Sequence, residues 1–348
     1  MHWAIIGLPN SGRSTLFRLL THKGSSARSG KGINLAVVKV PDWRFAALAE
    51  VFNPDKITRA EIEFVDSTGR IGKGGATFSE LQRADCLVFC VRAFDGGFGQ
   101  PNPLGDLQEL TAELTLFDLG AIERKIEACE KGLRTAKPDE KNRLEKQLKW
   151  FSEFKIHLEA GGVLRDLELN NEQREIIANF ALITAKPVFV VLNCDEEHYA
   201  NRVEIIGEAR KRIPNMEILP VMTQLEIELE ELEESEAEVF RVELGITDSP
   251  VEDVIRAAYD TMGIKTFFTG GDNEVRAWTV PSNFTASECA GRIHSDMERG
   301  FIRAEVVSYD ELIELGTWAE ARNKGKLRQE GKEYFVKDGD VILMKFAV

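Results

Sequence analysis

The feature that most constrains the fold of this chain is a glycine-bounded loop at its start. Gly7-Leu8-Pro9-Asn10-Ser11-Gly12-Arg13-Ser14-Thr15 follows directly on the apolar run 3–6. The pattern GxxxxGK(S/T) cradles phosphates: backbone N–H groups wrap the anion, a lysine reaches between the β- and γ-phosphates, and a hydroxyl ligates Mg2+. Residues 3–6 read as a strand and 14–20 as the first turns of a helix, which is the context the pattern needs. On this reading Asn10, Ser11, Gly12, Arg13, Ser14 and Thr15 meet the nucleotide. Ser14 is the expected Mg2+ ligand, and Thr15 either helps hold the α-phosphate or supports the loop. The plainer alternative is that Gly7 and Gly12 only shape a tight strand-to-helix turn. Arg13 departs from the pattern. It keeps the charge, but a broad planar fork does not stand in for a compact ammonium where geometry is tight, so binding is expected to outlast hydrolysis.

The other apolar runs follow one rhythm. Residues 61–65, 86–91, 187–192 and 217–222 read as strands separated by longer, helix-compatible segments, as a mostly parallel sheet with crossover helices requires. An α/β nucleotide-binding domain is the fold expected. More than 90 residues separate the strand ending near 91 from the one starting at 187, and helical periodicity over 110–134 and 140–160, broken at Pro138-Asp139, fills that gap with a helical hairpin. After Gly263 the texture changes to short strand-like runs at 265–268, 275–280, 301–307, 333–336 and 341–346, with a helix over 286–298. The division expected is 1–110 with 172–264 for the nucleotide domain, 111–171 for the helical insert and 265–348 for a strand-rich docking module.

Charge and composition narrow the function classes. A formal charge of −14 over 348 residues disfavours wholesale wrapping of DNA. Within 121–157, however, ten Lys or Arg stand against seven Asp or Glu, which is either a surface for RNA or an acidic partner, or an ordinary solvated face of i,i+4 pairs. Residues 226–238 hold eight Glu and read as a solvated acidic helix. The five cysteines are scattered, which suits buried thiols better than a metal site. With a strand-like start and no apolar run long enough for a bilayer, a cytoplasmic protein without a membrane partner is expected, most simply a monomer.

Two further elements complete the candidate site. The strand 62–65 ends in Asp66-Ser67-Thr68-Gly69: an aspartate there can hold Mg2+ or its water, and the Gly69 N–H can meet a γ-phosphate. Arg70 follows, where a glutamine would position water, and 72–75 is a glycine-rich loop. After strand 188–192 comes Asn193-Cys194-Asp195-Glu196. A GTPase offers NKxD there, its aspartate reading guanine and its lysine stem covering the ring. Here Cys194 replaces the lysine and Glu196 the aspartate, so either ATP or GTP is admitted. Asn193 is the expected base-side anchor, with Thr223 lining the base pocket.

These residues resemble the YchF-type, Obg-related P-loop NTPases, also called Obg-like ATPases. The resemblance is carried by GLPNSGRSTLF (7–17), VPDWR (40–44), EFVDSTG (63–69), TAKPV (184–188) and NCDE (193–196). It is closest in TFFTGGDNEVRAWTV (266–280), AGRIHSDMERGFIRAEV (290–306) and EGKEYFVKDGDVI (330–342). It spans nearly the whole chain. It implies a GTPase-like domain interrupted by a coiled coil and followed by a TGS domain of β-grasp type. It also implies cytosolic ATP or GTP hydrolysis, ribosome association, and RNA contact through the coiled-coil and TGS surfaces. This chain departs from the family at Arg13, where the family has lysine, and in 30–37, where a threonine is missing. The second switch, beginning at Arg70, is shorter as well.

Three functions follow: a slow ATP or GTP hydrolase switching ribosome or RNA binding, a nucleotide-binding regulator without turnover, and an RNA or ribosome adaptor with a vestigial site. Arg13, Ser14, Asp66 and Gly69 are the residues expected to act in hydrolysis under the first.

Overall fold

The computed structural model describes residues 1–21, 26–30, 33–67, 75–213, 216–246 and 249–347. Gly69, Arg70 and residues 72–74, singled out above, lie outside them. The chain forms two compact units: Met1–Val38 with Glu63–Val254, and Lys39–Ile62 with Ile255–Val348.

In chain order the described strands are β1 (His2–Ile6), β2 (Ser26–Gly30), β3 (Ile33–Lys39), β4 (Lys56–Thr58), β5 (Glu61–Ser67), β6 (Cys86–Ala93), β7 (Val188–Cys194), β8 (Glu217–Val221), β9 (Ile264–Gly270), β10 (Glu274–Pro281), β11 (Phe301–Ser308), β12 (Arg328–Glu330) and β13 (Asp340–Phe346). The first unit holds the sheet β2-β3-β5-β1-β6-β7-β8. β1 pairs in parallel with both β5 and β6, β6 with β7, and β7 with β8. Both faces of its middle are covered, which is why β6 and β7 read as unbroken apolar runs and every residue of β7 is buried. The strand–loop–helix start forms as expected, with α1 spanning Arg13–Thr21.

The gap before β7 is filled mainly by two long helices. After α2 (Arg44–Phe52) and α3 (Gly75–Arg83), α4 runs from Pro103 to Leu133 and α5 from Pro138 to Glu159. Each begins with proline, whose missing N–H is no loss in a first turn, and Asn102 caps α4 by accepting from the Gly105 N–H. At about 1.5 Å per residue α4 is roughly 46 Å long, enough to serve two cores. Its first half gives Leu107, Leu110 and Leu114 to the sheet core. Its second half gives Ile122 and Cys129 to a separate core with Phe151, Phe154 and Leu158 of α5. The helix therefore starts inside the sheet domain, seven residues before the periodicity expected at 110. Asp118 marks the changeover. It is fully buried and accepts from Ile183 N, Thr184 N and Thr184 Oγ1 at 3.0, 2.7 and 2.6 Å. Burial pushes its pKa up, against those hydrogen bonds.

The acidic segment differs from its expectation of one solvated helix. It splits into Thr223–Leu229 and Glu234–Glu243. Glu226 is buried and meets Arg241 at 3.4 Å, so one glutamate of the run serves the interior. The basic insert forms a face of pairs: Lys131, Lys141, Lys149 and Lys155 each lie within 4.0 Å of a glutamate. Those pairs are exposed and individually weak, but they blunt the positive field that the count of ten cations suggested.

The second unit is the sheet β12-β11-β13-β9-β10-β4. Adjacent Phe267 and Phe268 on β9 point to opposite faces, as strand geometry dictates. Phe267 enters a core with Ala286, Cys289 and Ala290 of the helix Ala286–Ile293. Phe268 enters one with Phe45 and Leu48 of α2 and with Leu312. Residues 39–62, assigned to the nucleotide domain from sequence, belong here because Phe45 and Leu48 find their core here and β4 pairs in parallel with β10. Two finer expectations also change. The strand expected at 333–336 is only an isolated bridge, Thr285 to Phe335, while the strand beside β11 is β12. The helix expected over 286–298 breaks at His294, whose Nδ1 accepts from Asp296 N to cap a second short helix, Ser295–Arg299. No helix among the described residues is long and apolar enough to cross a membrane.

Candidate nucleotide site

The loop between β1 and α1 is shaped by what it cannot accommodate. A Cβ on Gly7 would stand 2.4 Å from Ser11 Oγ and 2.5 Å from the Cys90 carbonyl. Gly12 has φ of 82°, and a Cβ there would stand 1.9 Å from Asn193 Nδ2. Asn10 also takes a left-handed conformation, at φ of 65°. Ser11 N donates to Leu8 O at 3.1 Å and Leu16 N to Gly12 O at 2.9 Å, so the loop closes on itself and passes straight into α1. The first-turn N–H groups of α1, Arg13 to Thr15, have no partner four residues back. With the helix dipole they make an anion site at the mouth of the loop. Ser11 is 2% exposed, and its Oγ has no hydrogen-bond partner among the described residues.

Beside the loop lies a cavity of about 460 Å3, lined by Gly12, Thr15, Phe94, Gly96, Asn193, Glu196 and Thr223 among others. That volume suits a nucleoside. Glu196 sits exposed on the rim. Asp195 next to it is committed elsewhere: it accepts from His198 N and from Asp95 N and pairs with His198 Nδ1 at 2.6 Å. Partial burial works against its ionisation, but those hydrogen bonds hold its pKa below the usual carboxylate value. Cys194, standing where a lysine stem would cover the base, is buried with its thiol on Leu192 O at 3.4 Å, and burial pushes its pKa up to about 12.

Asn193 and Thr223 are brought together, but for a purpose the sequence reading did not foresee. Asn193 Nδ2 donates to Ser11 O at 3.0 Å, and its Oδ1 accepts from Thr223 Oγ1 at 2.7 Å. The amide thus clamps the phosphate loop to Thr223, the first residue of the helix after β8, with one bond made at its nitrogen and one at its oxygen. Cys90, from the middle of β6, adds a weak thiol contact to the same Ser11 carbonyl at 3.4 Å. Phe94, Gly96 and Gln224, which the sequence reading passed over, line the cavity because they sit just past β6 and β8, at the strand ends where parallel sheets bind ligands.

On the phosphate side, Asp66 at the end of β5 is the hub. Ser14 Oγ donates to its Oδ2 at 3.1 Å, and Asn34 Nδ2 to the same oxygen at 3.3 Å. Arg13 Nε lies 2.7 Å from Oδ1, a charge contact with the N–H off the hydrogen-bonding line. Asn34 was not anticipated; it lies in the 30–37 stretch noted only for its missing threonine. The expected Mg2+ pair, Ser14 and Asp66, is therefore adjacent but already joined, with a guanidinium against the same carboxylate. A divalent ion there would meet the guanidinium's repulsion together with the carboxylate's attraction, so the Arg13 charge largely cancels the field by which Asp66 would draw Mg2+. As placed, these residues do not fit a protein-held Mg2+, and the described residues contain no group of three or more His, Cys, Asp or Glu able to hold a metal.

Comparison with known proteins agrees with this architecture. Residues 2–118 match the family described as 50S ribosome-binding GTPase. Residues 264–347 match the YchF GTPase C-terminal family, described as a protein of unknown function (DUF933). The chain is 36% identical to the ribosome-binding ATPase YchF of Bacillus subtilis over 99% of its own length and 98% of that protein's. It is 34% identical to the protein of that name from Escherichia coli O157:H7, with the same coverage. The structure of the Schizosaccharomyces pombe YchF GTPase superposes with a TM-score of 0.84 at 28% identity, covering 99% of this chain and 97% of that one. A P-loop α/β domain carrying a nucleotide-sized cavity, with a YchF-type C-terminal domain and relatives matched end to end, has one assignment: the chain belongs to the YchF family of P-loop nucleotide-binding GTPases and ATPases.

Proposed function

We propose that this chain is a slow ATP or GTP hydrolase whose nucleotide state governs its association with the ribosome. The observation that carries the reading is the Gly7–Ser14 loop itself: a positive-φ Gly12 pressed against Asn193, opening on one side to the start of α1 and on the other to a nucleoside-sized cavity. The first-turn amides of α1 hold the phosphates, and together with Arg13 they stabilise charge as water attacks the γ-phosphate. The base lies against Phe94 and Thr223, with Glu196 at the rim accepting from its N–H groups. Ribosome association is supported by what the relatives are called. The paired helices α4 and α5 and a TGS-like second unit are the surfaces proposed to meet RNA, on a chain acting as a monomer. Asn34 and Asp66 flank in sequence the segment 39–62 that belongs to the second unit, so the chain itself links the site to that unit. Mg2+, if bound, arrives with the nucleotide.

A second reading, nucleotide binding without turnover, is favoured by Arg13 resting on Asp66. The test is calorimetric titration of nucleotide-free protein with non-hydrolysable ATP and GTP analogues, phosphate release assays, and co-sedimentation with ribosomes with and without nucleotide. Gly12→Ala is the loop-blocked control. Turnover abolished by Gly12→Ala and nucleotide-dependent sedimentation are expected. Binding without turnover selects the second reading, and native protein that binds no better than Gly12→Ala refutes both.

A further inference from the structure

We propose that Arg13 takes the place of the divalent cation, so that nucleotide binds this chain without Mg2+. The inference rests on the nucleotide reading above. Its starting point is that the two side chains a phosphate-loop protein reserves for the metal already contact each other, and that a tethered cation lies against the same carboxylate. Ser14 Oγ donates to Asp66 Oδ2 at 3.1 Å, Asn34 shares that oxygen, and Arg13 Nε faces Oδ1 at 2.7 Å. The positive charge is well placed to persist there: Asp66 is fully buried, the Arg13 side chain is only 14% exposed, and the arginine is the first residue of α1, next to the amides that take the phosphates.

The side-chain chemistry explains why arginine suits this task. Lysine's three donors radiate from a single nitrogen, so an ammonium held on Asp66 cannot also offer a planar two-pronged face to phosphate. Guanidinium is a rigid fork of five N–H donors. Its Nε side can stay on Asp66 while the terminal nitrogens present a two-pronged face to phosphate oxygens. Arg13 then does what Mg2+ does elsewhere, bridging the aspartate at the end of β5 to the polyphosphate, and it does so from a covalent tether.

The experiment is calorimetric titration with a non-hydrolysable ATP analogue, once in EDTA and once in excess Mg2+, on native protein and on Arg13→Lys. Native affinities within about threefold of each other are expected, together with binding by Arg13→Lys that is about tenfold or more tighter in Mg2+ than in EDTA. Native binding that falls about tenfold or more in EDTA overturns the inference and leaves the nucleotide reading standing. So does Arg13→Lys binding in EDTA as well as native protein, because charge alone would then suffice. An absence of native binding in both buffers overturns the nucleotide reading itself. If Arg13→Lys fails to fold, the native comparison decides alone.

Discussion

Asn193 separates two ideas about this site, and removing it measures which is right. Its amide makes two buried hydrogen bonds, to Ser11 O at 3.0 Å and from Thr223 Oγ1 at 2.7 Å, in a residue 4% exposed. Asn193→Ala strands both partners. A buried polar group left unpaired costs about 1–3 kcal/mol. The Ser11 carbonyl keeps its thiol contact from Cys90 and belongs at the low end, near 1 kcal/mol, with Thr223 near 2, so a loss of about 3 kcal/mol is expected. Thr223→Val removes one donor and leaves Asn193 Oδ1 unpaired, for about 1–2 kcal/mol. Since the two changes share a bond, the double variant should fall short of the sum by roughly 1 kcal/mol. The assay is urea unfolding of nucleotide-free protein, followed by intrinsic tryptophan fluorescence, to which Trp3, fully buried in the same sheet, contributes. If Asn193→Ala loses less than about 1 kcal/mol, adds independently to Thr223→Val and instead changes affinity for one base only, the clamp is refuted and Asn193 is a base reader.

Other outcomes follow from the same structure. Asp118→Ala strands Ile183 N, Thr184 N and Thr184 Oγ1 at the point where α4 passes between its two cores, and should cost about 3–5 kcal/mol in denaturant unfolding, whereas Asp118→Asn, which retains an acceptor oxygen, should lose less. Arg241→Met leaves Glu226 buried without its cation and should cost about 3–5 kcal/mol at neutral pH. Burial, against Arg241, raises the Glu226 pKa above its ordinary 4.5, so the folded state binds the proton more tightly than the unfolded one. That contribution to stability is therefore full below 4.5 and lost as pH rises through the raised value; Arg241→Met should steepen the decline, and unfolding midpoints across pH 4 to 7 check the sign.

The sequence by itself settled the local grammar. Gly7 and Gly12 between a strand and a helix specify a phosphate loop because few other arrangements need a positive φ and an amide-lined turn at that spacing. The unbroken apolar runs of β6 and β7 specify a sheet covered on both faces, and Pro138-Asp139 marks a break between two helices; the structure adds that the second helix begins on Pro138 itself, at the first-turn position where proline is tolerated. What the tertiary structure decided was where polar ends are spent. Nothing near Asn193 in sequence says that its amide serves Ser11, 182 residues away, rather than a base. Nothing near Arg13 says that its guanidinium turns to Asp66, and a glutamate-rich stretch does not announce that Glu226 turns inward to meet Arg241. Nor does periodicity reveal that α2 belongs with β9, since a buried face shows only that a partner core exists. Local patterns are set by backbone sterics and side-chain period, which neighbours in sequence can encode. Pairings across the fold are set by which distant groups meet in a medium without water, and only the assembled chain fixes that.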